Sequence, residues 1–182
     1  GESSYFFAVF SDISEKKATE ERINDLTKQA HYDDLTGLPK RKLFFEKLDL
    51  MVPRIIEKKM AGAIIFLGLD RLKGVNGSLG HESGDQGLNI VASKFAEVLK
   101  PNDVVSRISG DEFVILLADA KKPDRAAYQS SLVAQKILSL FTQPFQLERH
   151  EVFISASLGI AIFPLDSSAP EKLVKHANLA MH

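Results

Sequence analysis

Cysteine is absent from this sequence of 182 residues. Its absence excludes disulfides, thiolate metal sites and cysteine nucleophiles, and it makes the reducing cytoplasm the expected compartment. An excess of charge of one sign is also missing: 23 Lys and Arg stand against 24 Asp and Glu, for a net charge of −1. Non-specific nucleic-acid binding leaves a basic footprint, so no nucleic-acid partner is expected. Long apolar runs are lacking too. The longest, Ala61 to Leu69, falls far short of the roughly 20 residues that cross a bilayer. It reads as a buried strand, and no membrane segment is expected here, although a cytoplasmic piece of a larger membrane-associated protein fits equally well. The five histidines have no metal-ligand spacing. No signal peptide is visible at the start. The pattern begins midway and stops at His182 inside a helical stretch, so the chain reads as a fragment.

What is present suits one domain with an appendage: 45% of the residues are hydrophobic, enough for a proper core. Tyr5–Phe10 is aromatic and strand-like, the end of something upstream. Ser14 then offers an N-cap oxygen with Glu15 in the first turn. Ile23, Leu26 and Ala30 form a narrow apolar stripe on a charged helix, which suits either a solvated linker or a two-chain coiled coil. Phe44, Leu48, Met51 and Ile55 mark an amphipathic helix that Pro53 is expected to end or kink. A second helical stripe runs through Leu88, Val91, Ala92, Phe95 and Leu99 to Pro101. Val104–Ile108 and Phe113–Leu117 flank Ser109-Gly110-Asp111-Glu112 as a hairpin, with Gly110 free to take a positive φ. A third helix carries Ala134, Ile137, Leu138 and Phe141. A second hairpin pairs Phe145–Leu147 with Val152–Ala161, and Pro170 opens a last helix with Leu173, Ala177 and Ala180 inward. This order predicts an α+β domain with a central mixed, largely antiparallel five-stranded sheet flanked by helices.

Candidate chemistry gathers at two places. The stretch Gly68 to Asp85 reads as the end of the first core strand and a loop. Its glycines at 74, 77, 80 and 84 let backbone N–H groups approach an anion, and Lys73 can neutralise a phosphate. Asn76 offers amide donors and an acceptor while Asp85 only accepts; together they can read a guanine. At the hairpin tip, Asp111 and Glu112 are adjacent acids, costly unless solvated or facing a cation, and a divalent ion bridging phosphates supplies one. Taken singly, each feature has a bland reading: a glycine-rich stretch as a turn, an acidic tip as a solvated one.

Asp33-Asp34-Leu35-Thr36-Gly37-Leu38-Pro39, the series Lys73…Asn76…Gly80-His81…Gly84-Asp85, Arg107-Ile108-Ser109-Gly110-Asp111-Glu112-Phe113 and Ser157-Leu158-Gly159-Ile160-Ala161 resemble, in order and spacing, the GGDEF (diguanylate cyclase) family. The resemblance covers residues 31–182 and implies the palm-like sheet of nucleotidyl cyclases. It implies that two GTP-bound domains meet face to face, as a homodimer would bring them, and join their nucleotides into cyclic di-GMP with Mg²⁺ or Mn²⁺. By the same resemblance Asn76 and Asp85 hold guanine. Lys73, with the backbone of Arg71, Leu72 and Gly110, serves the phosphates. Asp111 and the Leu69 carbonyl bind metal, and Glu112 sits beside the metals and the attacking hydroxyl. Tyr5–Ala30, above all Phe10-Ser11-Asp12-Ile13-Ser14-Glu15-Lys16-Lys17, resembles the end of a PAS sensor and its exit helix. The expected organisation is therefore 1–12 as the end of an upstream domain, 13–30 as a signalling helix and 31–182 as the GGDEF domain.

Departures from the family pattern decide the expected activity. Gly68 stands where the family has a metal-binding Asp, so a shared carboxylate is missing. Asp70 is not its relocation, because the family carries an acid there as well. Ser109 replaces the first Gly of the signature, a milder change. Lys40 replaces a usual Asn and loses a helix-capping bond. Lys100 and Asp103 mark a degenerate inhibitory site, since Lys lacks the planar fork of Arg. The family's late phosphate-binding Lys and Arg fall beyond His182. The expectation is a GTP-binding regulatory module, impaired in cyclisation and serving an attached EAL phosphodiesterase, whose tandem proteins the Leu35–Pro39 and Ser157–Pro164 segments resemble. The alternatives are an active diguanylate cyclase and a structural dimerisation module without nucleotide.

Overall fold

A strand whose side chains are apolar on both faces needs cover on both sides, and the segment Ala61–Asp70 (β1) receives it. The computed structural model describes Lys17, Arg22, 26–70 and 72–182, apart from the side chains of Lys73 and Asp119. The expectations for 1–12 and most of 13–30 lie outside the described residues. In order follow α1 (Arg41–Glu57), β1, α2 (Leu72–Leu79), α3 (His81–Val98), β2 (Val104–Ser109), β3 (Glu112–Ala120), α4 (Pro123–Ser139), β4 (Phe145–Leu147), β5 (His150–Val152), β6 (Ser155–Phe163) and α5 (Pro170–Met181).

The main sheet has the order β2-β3-β1-β6 and is antiparallel throughout. It has four strands rather than the expected five, and among the described residues parallel pairing is confined to an isolated bridge between Lys40 and Arg107. The reason lies in the segment read as one strand from Val152 to Ala161. Phe153 is 66% exposed and Ile154 only 1%. Here the chain leaves the small β4–β5 ribbon, buries Ile154 in the core and starts β6 afresh at Ser155.

Alternation along the strands builds two cores. On one face, Ile65, Leu67, Phe113 and Ile115 pack with Leu88, Val91 and Phe95 of α3 and Ile137 of α4. On the other, Ile64, Phe66, Val114 and Leu116 meet Phe44 and Leu48 of α1 and Leu173, Val174 and Ala177 of α5. The apolar period of α1 thus serves its purpose, but Pro53 neither ends nor kinks it out of the helix, which continues to Glu57. Pro53 and Asp49 are both exposed, so the carbonyl that loses its N–H partner faces water. Three smaller corrections concern registers and boundaries. Leu138 is 42% exposed, Phe141 lies past the end of α4, and Ala180 of α5 points outward. The last correction matters most for function: the presumed glycine-rich loop is two helices, α2 and α3, broken only at Gly80, whose φ of 88° suits glycine.

Helix α5 lies so close to β6 that a Cβ at Gly159 would overlap the Ala177 carbonyl oxygen and the Met181 amide. Gly159→Ala should therefore cost about 1–3 kcal/mol by overpacking. Gly74→Ala, at a helical position with nothing within 4 Å, should gain up to about 1 kcal/mol. Urea unfolding of the two variants checks both signs, and a neutral Gly159→Ala would contradict the close approach.

Candidate functional site

The register of β1 against β3 sets the site. Gly68 pairs with Glu112, and one residue on, the Leu69 N–H donates to the Asp111 carbonyl at 3.0 Å. Between β2 and β3 the chain turns through Gly110, at φ 39°. The two adjacent acids of this turn then serve different spaces. Asp111 lines a cleft of about 200 Å³ with Asn76, Asp85, Leu72, Leu88 and Arg107. Glu112 lines a larger cleft of about 880 Å³ between α1 and α5, and its Oε2 accepts from the Ser109 hydroxyl at 3.3 Å. Nothing in the sequence pattern pointed to that contact.

Asn76 on α2 and Asp85 on α3 come together in the smaller cleft, although nine positions of sequence separate them. Gly84 makes the approach possible, because a Cβ there would overlap Asn76 Oδ1. That amide oxygen is buried without a hydrogen-bond partner. A buried unpaired acceptor commonly costs about 1–3 kcal/mol, a cost that falls once the amide turns out from Gly84 to meet an N–H donor. Of the residues expected at the phosphates, Leu72 and Gly110 line this cleft, while Arg71 and the Lys73 side chain lie outside the described structure.

Whether these residues fit a pair of divalent ions turns on the number of carboxylates. Gly68 supplies none, and its open space is bounded by the Met181 thioether, with Sδ 3.2 Å from a Cβ placed there. Asp70, two residues along the same face, is held by β6: its carboxylate accepts from the Ser155 hydroxyl at 3.1 Å and the Ser157 hydroxyl at 3.2 Å. Strand β6 lies on the opposite side of β1 from the strand that carries Glu112. Among the described residues no group of three or more His, Asp or Glu side chains is placed to hold a metal ion. With glycine at 68 and Asp70 engaged by β6, Asp111 and Glu112 are the side-chain carboxylates left at the signature turn, where a hard cation seeks a near-octahedral oxygen shell.

The turn is held from behind by an ion pair between Arg107 and Asp33. Arg107 Nη1 donates to Asp33 Oδ2 at 2.9 Å, and its Nε donates to the Gly110 carbonyl at 2.9 Å. Asp33 Oδ2 also accepts from the backbone N–H and the hydroxyl of Thr36, at 2.9 and 2.6 Å. The Asp and Thr three apart in the sequence were the available signal. Burial alone would raise the Asp33 pKa, but the Thr36 and Arg107 hydrogen bonds and the guanidinium charge hold it below the ordinary value. Lys40 occupies the N-cap of α1 without a side-chain capping bond; its ammonium donates instead to the Gln29 carbonyl at 2.7 Å. Lys100 and Asp103 are brought together, with the Asp103 carboxylate accepting from the Lys100 N–H at 2.8 Å.

Residues 30–182 match the family described as diguanylate cyclase, GGDEF domain. The bifunctional diguanylate cyclase/cyclic di-GMP phosphodiesterase MucR of Pseudomonas aeruginosa is 37% identical over 87% of the chain. Signaling protein YkoW of Bacillus subtilis is 34% identical over 97% of it. The chain spans only about a fifth of these relatives, 22% of the first and 21% of the second. Among solved structures, the isolated GGDEF domain of TpbB from Pseudomonas aeruginosa superposes with a TM-score of 0.78 at 32% identity, covering 83% of this chain and 86% of that one.

The Asp33 pair carries a sign that pH can test. Because its folded pKa lies below the unfolded value near 3.9, the pair stabilises above that value, and the contribution is lost as pH falls through the folded pKa. Asp33→Asn should lower stability at pH 7 by about 1–3 kcal/mol. It should also lose less stability than the wild type between pH 5 and pH 2, as read from melting temperatures. Parallel acid limbs for the two proteins would contradict the assignment.

Proposed function

The chain belongs to the GGDEF diguanylate cyclase family, and from that premise we propose that it is a guanine-nucleotide-binding module of cyclic di-GMP signalling whose own cyclisation chemistry is impaired. The observation that carries nucleotide binding is the meeting of Asn76 and Asp85 in one cleft, with the Asn76 Oδ1 buried against Gly84 and unpartnered. A guanine edge presents the N–H donors that both acceptors lack. Lys73 is assigned to the phosphates of GTP, with the backbone of Arg71, Leu72 and Gly110. Asp111 and the Leu69 carbonyl form a partial ligand set, and Glu112, held by Ser109, stands at the attacking hydroxyl. Mg²⁺ or Mn²⁺ would neutralise phosphate charge in the reaction, and this chain brings too few carboxylates to hold it firmly.

Impairment is supported by Gly68 facing Glu112 with no side chain of its own and by Asp70 being engaged with Ser155 and Ser157. Loss of one preorganised electrostatic group commonly costs about 10²–10³ in rate. An active cyclase is the second reading, supported by the retained Asp111 and by the Ser109 hydroxyl that orients Glu112. MucR is named as bifunctional, which supports an attached phosphodiesterase as the regulated partner. The segments 1–12 and 13–30 are assigned to an upstream PAS-like sensor and its exit helix, acting in the cytoplasm, and a homodimer would bring two such domains face to face. No helix among the described residues is long and apolar enough to cross a membrane.

Incubation with GTP and Mg²⁺ or Mn²⁺, with cyclic di-GMP measured as product, should show little turnover. Gly68→Asp should raise it about 10²-fold or more; the flexible thioether end of Met181, 3.2 Å from a Cβ placed there, has to move aside to admit the carboxylate. Robust product formation by the wild type, or no gain in Gly68→Asp, would contradict the proposed impairment.

A further inference from the structure

A third cleft lies behind the signature turn. It encloses about 430 Å³ between the turn that ends in Lys40, the start of α1 and the Ser109–Gly110 backbone, and it is lined by Lys40, Arg41, Lys42 and Arg107, with Asp33 as its one acid. Asp33 is already matched by Arg107 at 2.9 Å. The other three cations make no ion pair among the described residues. Lys40 meets a carbonyl, Arg41 lies 4.8 Å above the Phe45 ring, and Lys42 is exposed.

The concentration of charge is local, since the chain as a whole carries −1. It also sits in an unfavourable place for folding. The three cations begin a 17-residue helix with no acid in its first turn and no side-chain cap, so each opposes the helix dipole. Arg41 and Lys42 are exposed and add little to the core. The Lys40–Gln29 hydrogen bond and the Arg41–Phe45 contact offset this conflict only in part; a local conflict of this kind can mark a functional site, and an anion in the cleft reduces it.

The position of the cleft says which anion. Arg107 and Gly110 line both this space and the Asn76–Asp85 cleft, so the two are separated by a single wall. We infer that the Lys40–Arg41–Lys42 cleft binds a phosphate group of a guanine nucleotide, at a place separate from Lys73. The inference rests on the base-reading role given above to Asn76 and Asp85. The phosphate belongs either to a nucleotide whose base fills that neighbouring cleft or to one presented by a facing copy of the chain.

Equilibrium binding on the full chain, with EDTA present so that no metal mediates, tests it with guanosine, GTP and inorganic pyrophosphate as probes. Lys40→Gln/Lys42→Gln should weaken pyrophosphate and GTP about tenfold or more, as expected for lost charge-assisted bonds, and leave guanosine unchanged. Lys42→Gln alone, at an exposed position, guards against a folding artefact and should act in the same direction. Asn76→Ala should do the reverse, losing guanosine and keeping pyrophosphate. If the lysine variants weaken GTP binding at protein dilutions where the chain is monomeric, the phosphate belongs to the nucleotide bound in the same chain; if GTP weakens only where the chain dimerises, it comes from the facing copy. Pyrophosphate that binds the wild type and the lysine variants equally, or does not bind the wild type at all, overturns the inference. Guanosine binding that ignores Asn76→Ala instead contradicts the base-reading role, a separate failure.

Discussion

Antiparallel pairing of β1 with β3 is the constraint on which the rest of this molecule depends. It sets Gly68 against Glu112 and ties Leu69 to Asp111, so the functional turn is an extension of the most buried part of the sheet. Because side chains alternate, a slip of one residue would send Glu112 to the other face and exchange the two cores. Register is therefore protected by everything buried around Ile64–Leu67, and the placement of the acids follows from the hydrophobic effect rather than from any contact of their own. The same register makes the absence at Gly68 consequential. The position faces Glu112 directly, and the nearest acid on that face is turned toward β6 by two serine hydroxyls.

A second layer of support fixes the turn from outside the sheet. Arg107 joins Gly110 to Asp33, Thr36 completes the Asp33 shell, and the Ser106 hydroxyl and the Arg107 N–H both donate to the Pro39 carbonyl. The segment entering α1 is thereby locked to the strand entering the signature turn, with Lys40 reaching back to the preceding helical residues. Nucleotide chemistry requires groups held to within a fraction of an ångström, and a hairpin tip is ordinarily among the more mobile parts of a fold. This latch supplies rigidity where the sheet ends.

Much of this was legible in the sequence because periodicity reports burial. The α1 stripe, β1 and the hairpin around Gly110 follow from spacing alone, as does the α+β class. What spacing could not show was tertiary choice. Glycines at 74 and 77 read as loop, yet α2 forms because Leu72 and Val75 are buried against the core, and packing outweighs glycine's weak helix propensity. The fifth strand failed at Phe153–Ile154, where burying one isoleucine mattered more than continuing the ladder. The expectation that Asn76 and Asp85 read a base needs only their donor and acceptor chemistry, but the need for Gly84 between them appears only when α2 and α3 are seen in contact. The Ser109–Glu112 bond depends on folded geometry, and so does the cleft lined by Lys40, Arg41 and Lys42, although their run of positive charge stands in the sequence itself.

The central claim is that the end of β1 offers too few carboxylates to hold two divalent ions beside a nucleotide. Counting bound Mn²⁺ by electron paramagnetic resonance, with a non-hydrolysable GTP analogue saturating the chain, tests it without reference to turnover. Fewer than two tightly held ions per chain are expected; two ions bound as firmly as in a cyclase that keeps both acids would rule out the proposed impairment.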